Sequence, residues 1–120
     1  MCIRDRSSVY LGNNTFADIT ELAELTSLVE LDLSYGKVSD LSPLANLQAL
    51  TYLGIAGNST LDLDSLPSLD NLRSLNVSNI ELADLAPVTV LANLEVLYAH
   101  DNNIVDLSPL SEMSLSLIHI

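Results

Sequence analysis

The stretch L-V-E-L-D-L-S-Y-G-K-V-S-D-L-S-P-L-A-N-L-Q-A, residues 28–49, is the second of five 22-residue units that follow each other without a gap. Units 1, 3, 4 and 5 start at residues 6, 50, 72 and 94. Seven columns of the unit should be apolar, and 33 of the resulting 35 positions are, with Arg6 and Thr60 as the exceptions. The period predicts a repeat protein whose units stack around a continuous core, because no single unit can bury its own apolar side chains.

Each unit divides into a strand and a return segment. Residues 28–33 alternate between apolar and other side chains, which predicts a strand with one buried and one wet face, paired in parallel with its equivalents. In residues 41–47 the apolar positions are three apart and Pro43 stands in the first turn, which predicts a 3₁₀ or single α turn. The position of Ser42 is the predicted cap of this turn, and four of its five occupants have a side chain that can cap: the occupants are Thr20, Ser42, Asp64, Ala86 and Ser108.

Two runs in the return segments resemble a known family. D-L-S-P-L-A-N-L at 40–47 and D-L-S-P-L at 106–110 are similar to the repeat of bacterial internalin-type leucine-rich repeat proteins, and also to the phosphatase-regulator type of eukaryotes. The resemblance covers residues 7–114. It implies an α/β solenoid of horseshoe shape, with one short parallel strand per repeat on the concave face and 3₁₀ or short α turns on the convex face. It also implies protein binding through the concave sheet, usually in a secreted or cell-surface bacterial protein.

One column of the family's repeat is only partly matched. Its asparagine corresponds to Asn14, Asn58 and Asn102, and would bridge the backbones of adjacent units by hydrogen bonds. Gly36 and Ile80 replace it in units 2 and 4. We therefore expect the hydrogen-bond ladder to be broken or filled by water in those two units.

The two ends of the chain differ from the repeats. Residues 1–5 can be encoded by a DNA string whose reverse complement, GTCTCTTATACACAT, also lies within a possible coding sequence for residues 115–120. This relation resembles a transposon-type sequencing adapter read from both sides of a DNA fragment. We predict that residues 1–6 and 115–120 are adapter-derived and that residues 7–114 are a leucine-rich repeat array of about five repeats. The repeat pattern supports this prediction, because Ser116 occupies the position at which the next repeat should have a leucine.

The chain is strongly acidic, with a formal net charge of −12. Residues 7–114 retain two basic residues, Lys37 and Arg73, against fifteen acidic ones, so their formal charge is −13. Because phosphate binding depends on Lys and Arg, this balance argues against nucleic acid or anionic lipid as a partner. No transmembrane run occurs in the sequence, so we expect no direct membrane insertion. The single cysteine, Cys2, excludes a disulfide scaffold.

Recognition is expected at the exposed strand positions and just beyond each strand. All four tyrosines of the chain fall there, whereas the only phenylalanine, Phe16, falls in a core column. Tyrosine is enriched at binding surfaces because it offers area and a hydrogen bond with few rotors; the alternative is that these tyrosines are merely solvated. Acidic side chains on the same face favour a basic or hydroxyl-rich protein partner. The predicted protein-binding residues are Tyr10, Glu30, Asp32, Tyr35, Tyr52, Asn76, Tyr98, His100 and Asp101.

An aspartate recurs in one column of every unit. A ladder of carboxylates could bind calcium, but each aspartate could instead accept backbone N–H bonds in the turn before the return segment, and we prefer this structural interpretation. The column is Asp18, Asp40, Asp62, Asp84 and Asp106.

Enzyme chemistry finds little support in the sequence. His100 next to Asp101 suggests a base and its orienter, but adjacent strand residues point to opposite faces. No phosphate-binding glycine loop or metal-binding histidine spacing occurs. We therefore predict no catalytic residue, no metal and no cofactor.

The sequence as a whole predicts a noncatalytic protein-binding module of a bacterial cell-surface or secreted protein. One alternative is a structural spacer array in a larger surface protein. Others are an accessory domain of an enzyme or an intracellular phosphatase-type regulator. The flanking gene sequence would separate these alternatives, through an export signal, a wall anchor or a catalytic domain.

Overall fold

The strands of successive units form one parallel sheet, as the repeat predicts. The computed structural model describes residues 8–12, 19–113 and 115–119. Strands pair in chain order, so that Leu31 lies opposite Leu53 and Leu53 opposite Leu75. In the described residues the six strands are β1 (Ser8–Tyr10), β2 (Glu30–Asp32), β3 (Tyr52–Gly54), β4 (Ser74–Asn76), β5 (Val96–Tyr98) and β6 (Leu117–His119).

The return segments are 3₁₀ helices, the tighter of the two predicted forms. They are η1 (Thr20–Glu24), η2 (Ser42–Asn46), η3 (Leu63–Ser65), η4 (Ala86–Val90) and η5 (Ser108–Glu112). Helix η3 is the shortest because Leu66 precedes Pro67, and a residue before proline is pushed out of helical backbone; Leu66 has φ −63° and ψ 120°. Across the described part of the chain, no helix has the length and apolar character needed to cross a bilayer.

The predicted capping position is wrong in units 2 to 5. Ser42 is the first residue of η2 rather than its cap, and Asp40 accepts both its backbone N–H (2.9 Å) and its hydroxyl (3.0 Å). Asp62, Asp84 and Asp106 accept the backbone N–H two residues later at 2.9–3.1 Å. The aspartate column therefore caps the helices through Asx turns, which confirms its structural interpretation in four units; Asp18 lies outside the described residues.

The predicted apolar columns form the core. Leu31, Leu53 and Leu75, the middle residues of β2 to β4, are each 0% exposed and lie one above another through the array. Burial of such a side chain contributes about 1.5–3 kcal/mol before chain entropy is subtracted. Thr60, the exception within the array, is exposed, and the next residue, Leu61, packs against the core in its place.

Asn58 and Asn102 bridge neighbouring units, as the family's asparagine column implied. Asn58 is fully buried; its Oδ1 accepts from the Val38 N–H and its Nδ2 donates to the Leu33 carbonyl, both at 3.0 Å and both in unit 2. Asn102 likewise accepts from the Leu82 N–H and donates to the Val77 carbonyl in unit 4. These bonds satisfy backbone groups that the short strands leave unpaired.

The expected break in this ladder is present in unit 4. Ile80 occupies the asparagine position there, is 6% exposed and joins the hydrophobic core. Hydrocarbon therefore fills this position, and of the two expected alternatives the ladder is broken in unit 4. Gly36 faces unit 1, where Asn14 and the rest of residues 13–18 lie outside the described residues.

The last unit departs from the predicted core. Leu107 was expected to be buried but is 51% exposed, and Val105 beside it is 92% exposed. The equivalent leucines of units 2 to 4, which have a complete unit stacked beyond them, are 0–6% exposed. Among the described residues only β6 follows unit 5, and Leu107 is half exposed.

The repeat continues into the final residues with a shift of one position. Val96 lies opposite Leu117, an offset of 21 instead of 22. Leu115, and not Ser116, takes the column of Leu94 and packs against the core. The strict 22-residue period is therefore lost at Ser116, although a strand still pairs with β5. The adapter origin of the two ends stays a prediction, which the underlying nucleotide sequence tests.

Candidate functional site

One side of the sheet faces the core and the other carries rows of side chains open to a partner. The middle residue of each strand from β1 to β5 is buried, so the residues on either side of it point outward. Row 1 is Ser8, Glu30, Tyr52, Ser74 and Val96, and row 2 is Tyr10, Asp32, Gly54, Asn76 and Tyr98. Row 3, two residues further along, is Gly12, Ser34, Ala56, Ser78 and His100.

A fourth row follows the strands and has left-handed backbone. Its members, with their φ angles, are Tyr35 (58°), Gly57 (71°), Asn79 (56°) and Asp101 (56°). Glycine, asparagine and aspartate tolerate this conformation, whereas tyrosine rarely adopts it. The Tyr35 ring lies against Gly57, where a Cβ would clash with it. We call rows 1 to 3 and this turn row together the open sheet face.

A hydrogen-bonded group occupies the first two strands of this face. The hydroxyls of Tyr10 and Ser8 both donate to Oε1 of Glu30, the latter at 3.0 Å. The Tyr10 bond, and then the Ser8 bond, hold the pKa of Glu30 below its ordinary value, and the same bond to Glu30 raises the pKa of Tyr10. Glu30 is thus kept ionised, and the group presents negative charge beside an exposed aromatic ring.

Tyr52 lies across the middle of the sheet. Its hydroxyl would be 2.7 Å from a Cβ at Gly54, so the absence of a side chain there lets the ring cover the strand. Partial burial, and then the charge of Asp32, raises the pKa of Tyr52. Gly54 therefore leaves the space that the Tyr52 ring occupies.

An open depression of about 620 Å³ lies over row 2, row 3 and the turn row. Its floor contains Ala56, and Asp32 stands at one side with Oδ1 bound to the Ser34 N–H at 2.9 Å. Asn76 repeats this arrangement two units along, where its Oδ1 accepts from the Ser78 N–H at 3.1 Å. The depression is lined by Gly12, Asp32, Ser34, Tyr35, Ala56, Asn76, Ser78, His100 and Asp101.

His100 and Asp101 both face this depression, so the expectation that they point to opposite faces is wrong. The alternation of a strand does not extend to Asp101, because its φ of 56° turns the chain. The Ser78 hydroxyl, which also lines the depression, accepts the backbone N–H of His100 at 3.0 Å. His100 also lies near Tyr98, with ring centroids 6.4 Å apart.

The structure brings most of the predicted binding residues together. Asp32, Tyr35, Asn76, His100 and Asp101 line the depression, and the remaining four lie around it in rows 1 and 2. Those four are Tyr10, Glu30, Tyr52 and Tyr98.

Ser34 and Ser78 were not among the predicted binding residues, yet both line the depression although they are only 9% exposed. Their signal in the sequence is that they are the hydroxyl side chains of row 3, on either side of Ala56.

A metal site does not emerge in the part of the chain that the structure describes. No group of three His, Cys, Asp or Glu side chains converges there, and Asp40, Asp62, Asp84 and Asp106 are engaged with backbone N–H groups. A calcium ion requires six or more oxygen ligands around one point, which a column of separate Asx turns does not supply.

Comparison with solved structures identifies similar folds in Listeria monocytogenes. An internalin C2 of strain 4b F2365 aligns over 94% of this chain and 60% of its own, with 29% identity and a TM-score of 0.60. An internalin from the same strain, InlF, aligns over 92% of this chain and 46% of its own, with 29% identity and a TM-score of 0.49. The functional domain of InlJ, which includes a cysteine ladder, aligns over 95% of this chain and 29% of its own, with 18% identity and a TM-score of 0.59.

The alignments with internalin C2 and InlJ establish the architecture. The chain has the leucine-rich repeat solenoid of the internalins, with an open parallel sheet and 3₁₀ return segments. It spans 60% or less of the length of each of these three structures. Neither a protein-family model nor a curated protein sequence matches the chain.

Proposed function

We propose that this internalin-like leucine-rich repeat array is a noncatalytic module that binds a protein partner through its open sheet face, as part of a bacterial cell-surface or secreted protein. Its similarity to internalin C2 supports the proposal that it is part of a bacterial cell-surface or secreted protein. The surface and its residues are our inference from the geometry.

One observation carries the proposal: the chain concentrates its tyrosines on the open sheet face. All four are there, and Tyr10 and Tyr35 are 59% and 53% exposed. An array that served only to separate other domains would need no such concentration on one side. Tyrosine contributes large contact area at low cost in rotamer entropy, so this face is suited to recognition.

The charge of the face indicates the chemistry of the partner. Glu30, Asp32 and Asp101 lie on it, and Arg73, one of two basic residues in units 2 to 5, is paired with Glu95 at 2.6 Å. An acidic surface attracts a basic protein surface and speeds its association at low salt. We infer that the partner presents basic or hydroxyl-rich side chains, and that nucleic acid and membrane lipid are not partners.

Site-specific crosslinking tests the surface. A photoreactive amino acid at Tyr98, on the open sheet face, should crosslink a protein from the extracellular milieu of the source bacterium or its host. The same amino acid at Thr89, exposed on η4, is the matched control and should give no crosslink.

Replacing Tyr52 and Tyr98 by alanine should abolish capture if the face recognises a partner. In the spacer alternative the double variant would bind as the unchanged chain does, and crosslinks from Thr89 would equal those from Tyr98. Either result would overturn the proposal.

A further inference from the structure

We propose that Tyr35 is the aromatic anchor of the open sheet face, held in position for the protein partner by Gly57 at a cost to the stability of the fold. This inference rests on the proposed function, because it requires a protein partner at that face. It goes further by naming one residue on which binding depends and a second residue that positions its ring.

The backbone at Tyr35 has a conformation that suits other residue types. Every residue of the turn row has a φ between 56° and 71°. In units 3, 4 and 5 this position holds Gly57, Asn79 and Asp101, which tolerate left-handed backbone. For a bulky side chain such as that of Tyr35, with a φ of 58°, the same conformation is an outlier. The turn itself therefore favours a different residue in unit 2.

The left-handed turn does not depend on the tyrosine side chain. The backbone N–H of Tyr35 donates to the Ala56 carbonyl at 2.6 Å, and Asn79 in unit 4 makes the equivalent bond to the His100 carbonyl at 2.8 Å. This bond forms with either side chain, so the fold requires the turn and not the tyrosine. Strained backbone of this kind persists only where the surrounding structure holds it, and it concentrates at functional sites.

The neighbouring turn provides the space in which the Tyr35 ring lies. The ring rests on Gly57 in unit 3, where a Cβ would clash with the ring atoms. Gly57 is the one glycine among the four residues of the turn row, so a side chain stands at the equivalent place in the other turns. Tyr35 and Gly57 are therefore a matched pair in adjacent units.

More than half of the Tyr35 side chain remains open to a partner. Its exposed fraction is 53%, although one side of the ring is covered by Gly57. A side chain that is already held in one orientation loses less rotamer entropy when a partner covers it. Tyrosine is also enriched among the residues that carry most of the binding energy of interfaces. Recognition therefore accounts for the strain better than packing does, since a packing role would bury more of the ring.

The array supplies a matched substitution for each member of the pair. Tyr35→Asn reproduces Asn79, which has a similar φ of 56° and makes the equivalent backbone bond. Tyr35→Phe keeps the ring and is the conservative control. Gly57→Asn also places asparagine at a left-handed position, but its side chain would displace the ring while Tyr35 itself stays unchanged.

Tyr98→Asn is the control for the exchange of tyrosine for asparagine. It reproduces Asn76, the residue opposite Tyr98 in the sheet, at an ordinary strand position. Tyrosine suits a strand better than asparagine does, so Tyr98→Asn should lower the stability of the chain. Tyr35→Asn should have the opposite effect, because it relieves the left-handed strain.

Urea unfolding of the 120-residue chain, followed by circular dichroism, measures the cost to stability. Tyr35→Asn should raise the ratio of folded to unfolded chain about fivefold, while Tyr35→Phe should change it by less than about twofold. A lower ratio for Tyr35→Asn than for the unchanged chain would overturn the inference, because the ring would then be a stabilising contact.

Photocrosslinking measures the contribution to binding, with a photoreactive amino acid at Tyr98 as the probe. Tyr35→Asn and Gly57→Asn should each lower the yield of crosslinked protein about tenfold or more, and Tyr35→Phe by less than about twofold. A variant that is more stable than the unchanged chain and yet defective in capture cannot owe its defect to misfolding. An undiminished yield in Gly57→Asn would overturn the positioning role of Gly57.

The outcomes separate this inference from the proposed function. If the unchanged chain gives no crosslink from Tyr98, the proposed function fails and the role of Tyr35 fails with it. If the unchanged chain gives the crosslink and Tyr35→Asn gives the same yield, the open sheet face binds a partner and only the role of Tyr35 is refuted.

Discussion

Replacing Asn58 by alanine should be among the most damaging single changes in this chain. Asn58 is 0% exposed and makes four hydrogen bonds to backbone groups. Two of them join unit 3 to unit 2, through the Val38 N–H and the Leu33 carbonyl. Alanine would remove all four bonds and leave a cavity beside the core.

The expected loss in the free energy of unfolding follows from the number of backbone groups that lose their hydrogen-bond partners. The Ala56 carbonyl also accepts the Tyr35 N–H at 2.6 Å and stays bonded, so three backbone groups are orphaned. Each costs about 1–3 kcal/mol when it is buried without a partner, and water entering the cavity recovers part of this. We expect a loss of about 3–5 kcal/mol, a large share of the roughly 5–15 kcal/mol by which a domain is stable.

Urea unfolding followed by circular dichroism measures the loss, with two matched controls. Asn102→Ala removes equivalent bonds at a partly exposed position and should cost about half as much, because water can replace the lost partners. Asn71→Ala removes one exposed bond to the Gln48 carbonyl and should cost about 0.5 kcal/mol. The reasoning is refuted if Asn58→Ala lowers the free energy of unfolding by less than about 1 kcal/mol, or by no more than Asn102→Ala.

Three further predictions concern the core, the open sheet face and the helix caps. Leu53→Ala, at a side chain with 0% exposure, should lower the free energy of unfolding by about 3–5 kcal/mol in the same urea experiment. Tyr10→Phe removes the main cause of the lowered pKa of Glu30, so the carboxyl resonance should titrate at higher pH; a pKa of Glu30 that does not move would contradict the bond. Because that pKa is lowered in the folded state, the associated stability is present above the ordinary glutamate value and is lost as the pH falls through the folded one. Asp40→Ala should lower the free energy of unfolding through loss of the bonds to Ser42, while Asp40→Asn should lower it less because it keeps one acceptor; equal losses would argue against the Asx turn.

The columns of the repeat were sufficient to predict the strands and their partners. In a stack of equal units, residue i lies beside residue i+22, so a column of leucines in the sequence becomes a row of leucines in space. Leu31, Leu53 and Leu75 illustrate this. The same argument placed the tyrosines on the open sheet face. It failed at Leu107, because burial there depends on a covering segment and not on the residue's own column.

The position of the helix caps could not be derived from composition alone. Ser42 and Asp40 are both good capping residues, and sequence reasoning chose the one adjacent to the proline. The helix begins at Ser42, so only a carboxylate two residues earlier can reach the free N–H groups. The choice between Asp40 and Ser42 depends on the residue at which the 3₁₀ backbone starts, and residue propensities do not give that position.

By itself, the sequence determined the solenoid, the parallel order of β1 to β5 and the side of the sheet on which the tyrosines lie, because all three follow from a period of 22 and the alternation of a strand. Only the tertiary structure determined how the side chains are arranged on that face. Tyr52 covers Gly54, Tyr35 rests on Gly57, and the left-handed turn brings Asp101 to the same depression as Asp32, which lies 69 positions earlier in the chain. These arrangements depend on the shapes of side chains in neighbouring units and on one φ angle, and neither is recorded in the pattern of any single repeat.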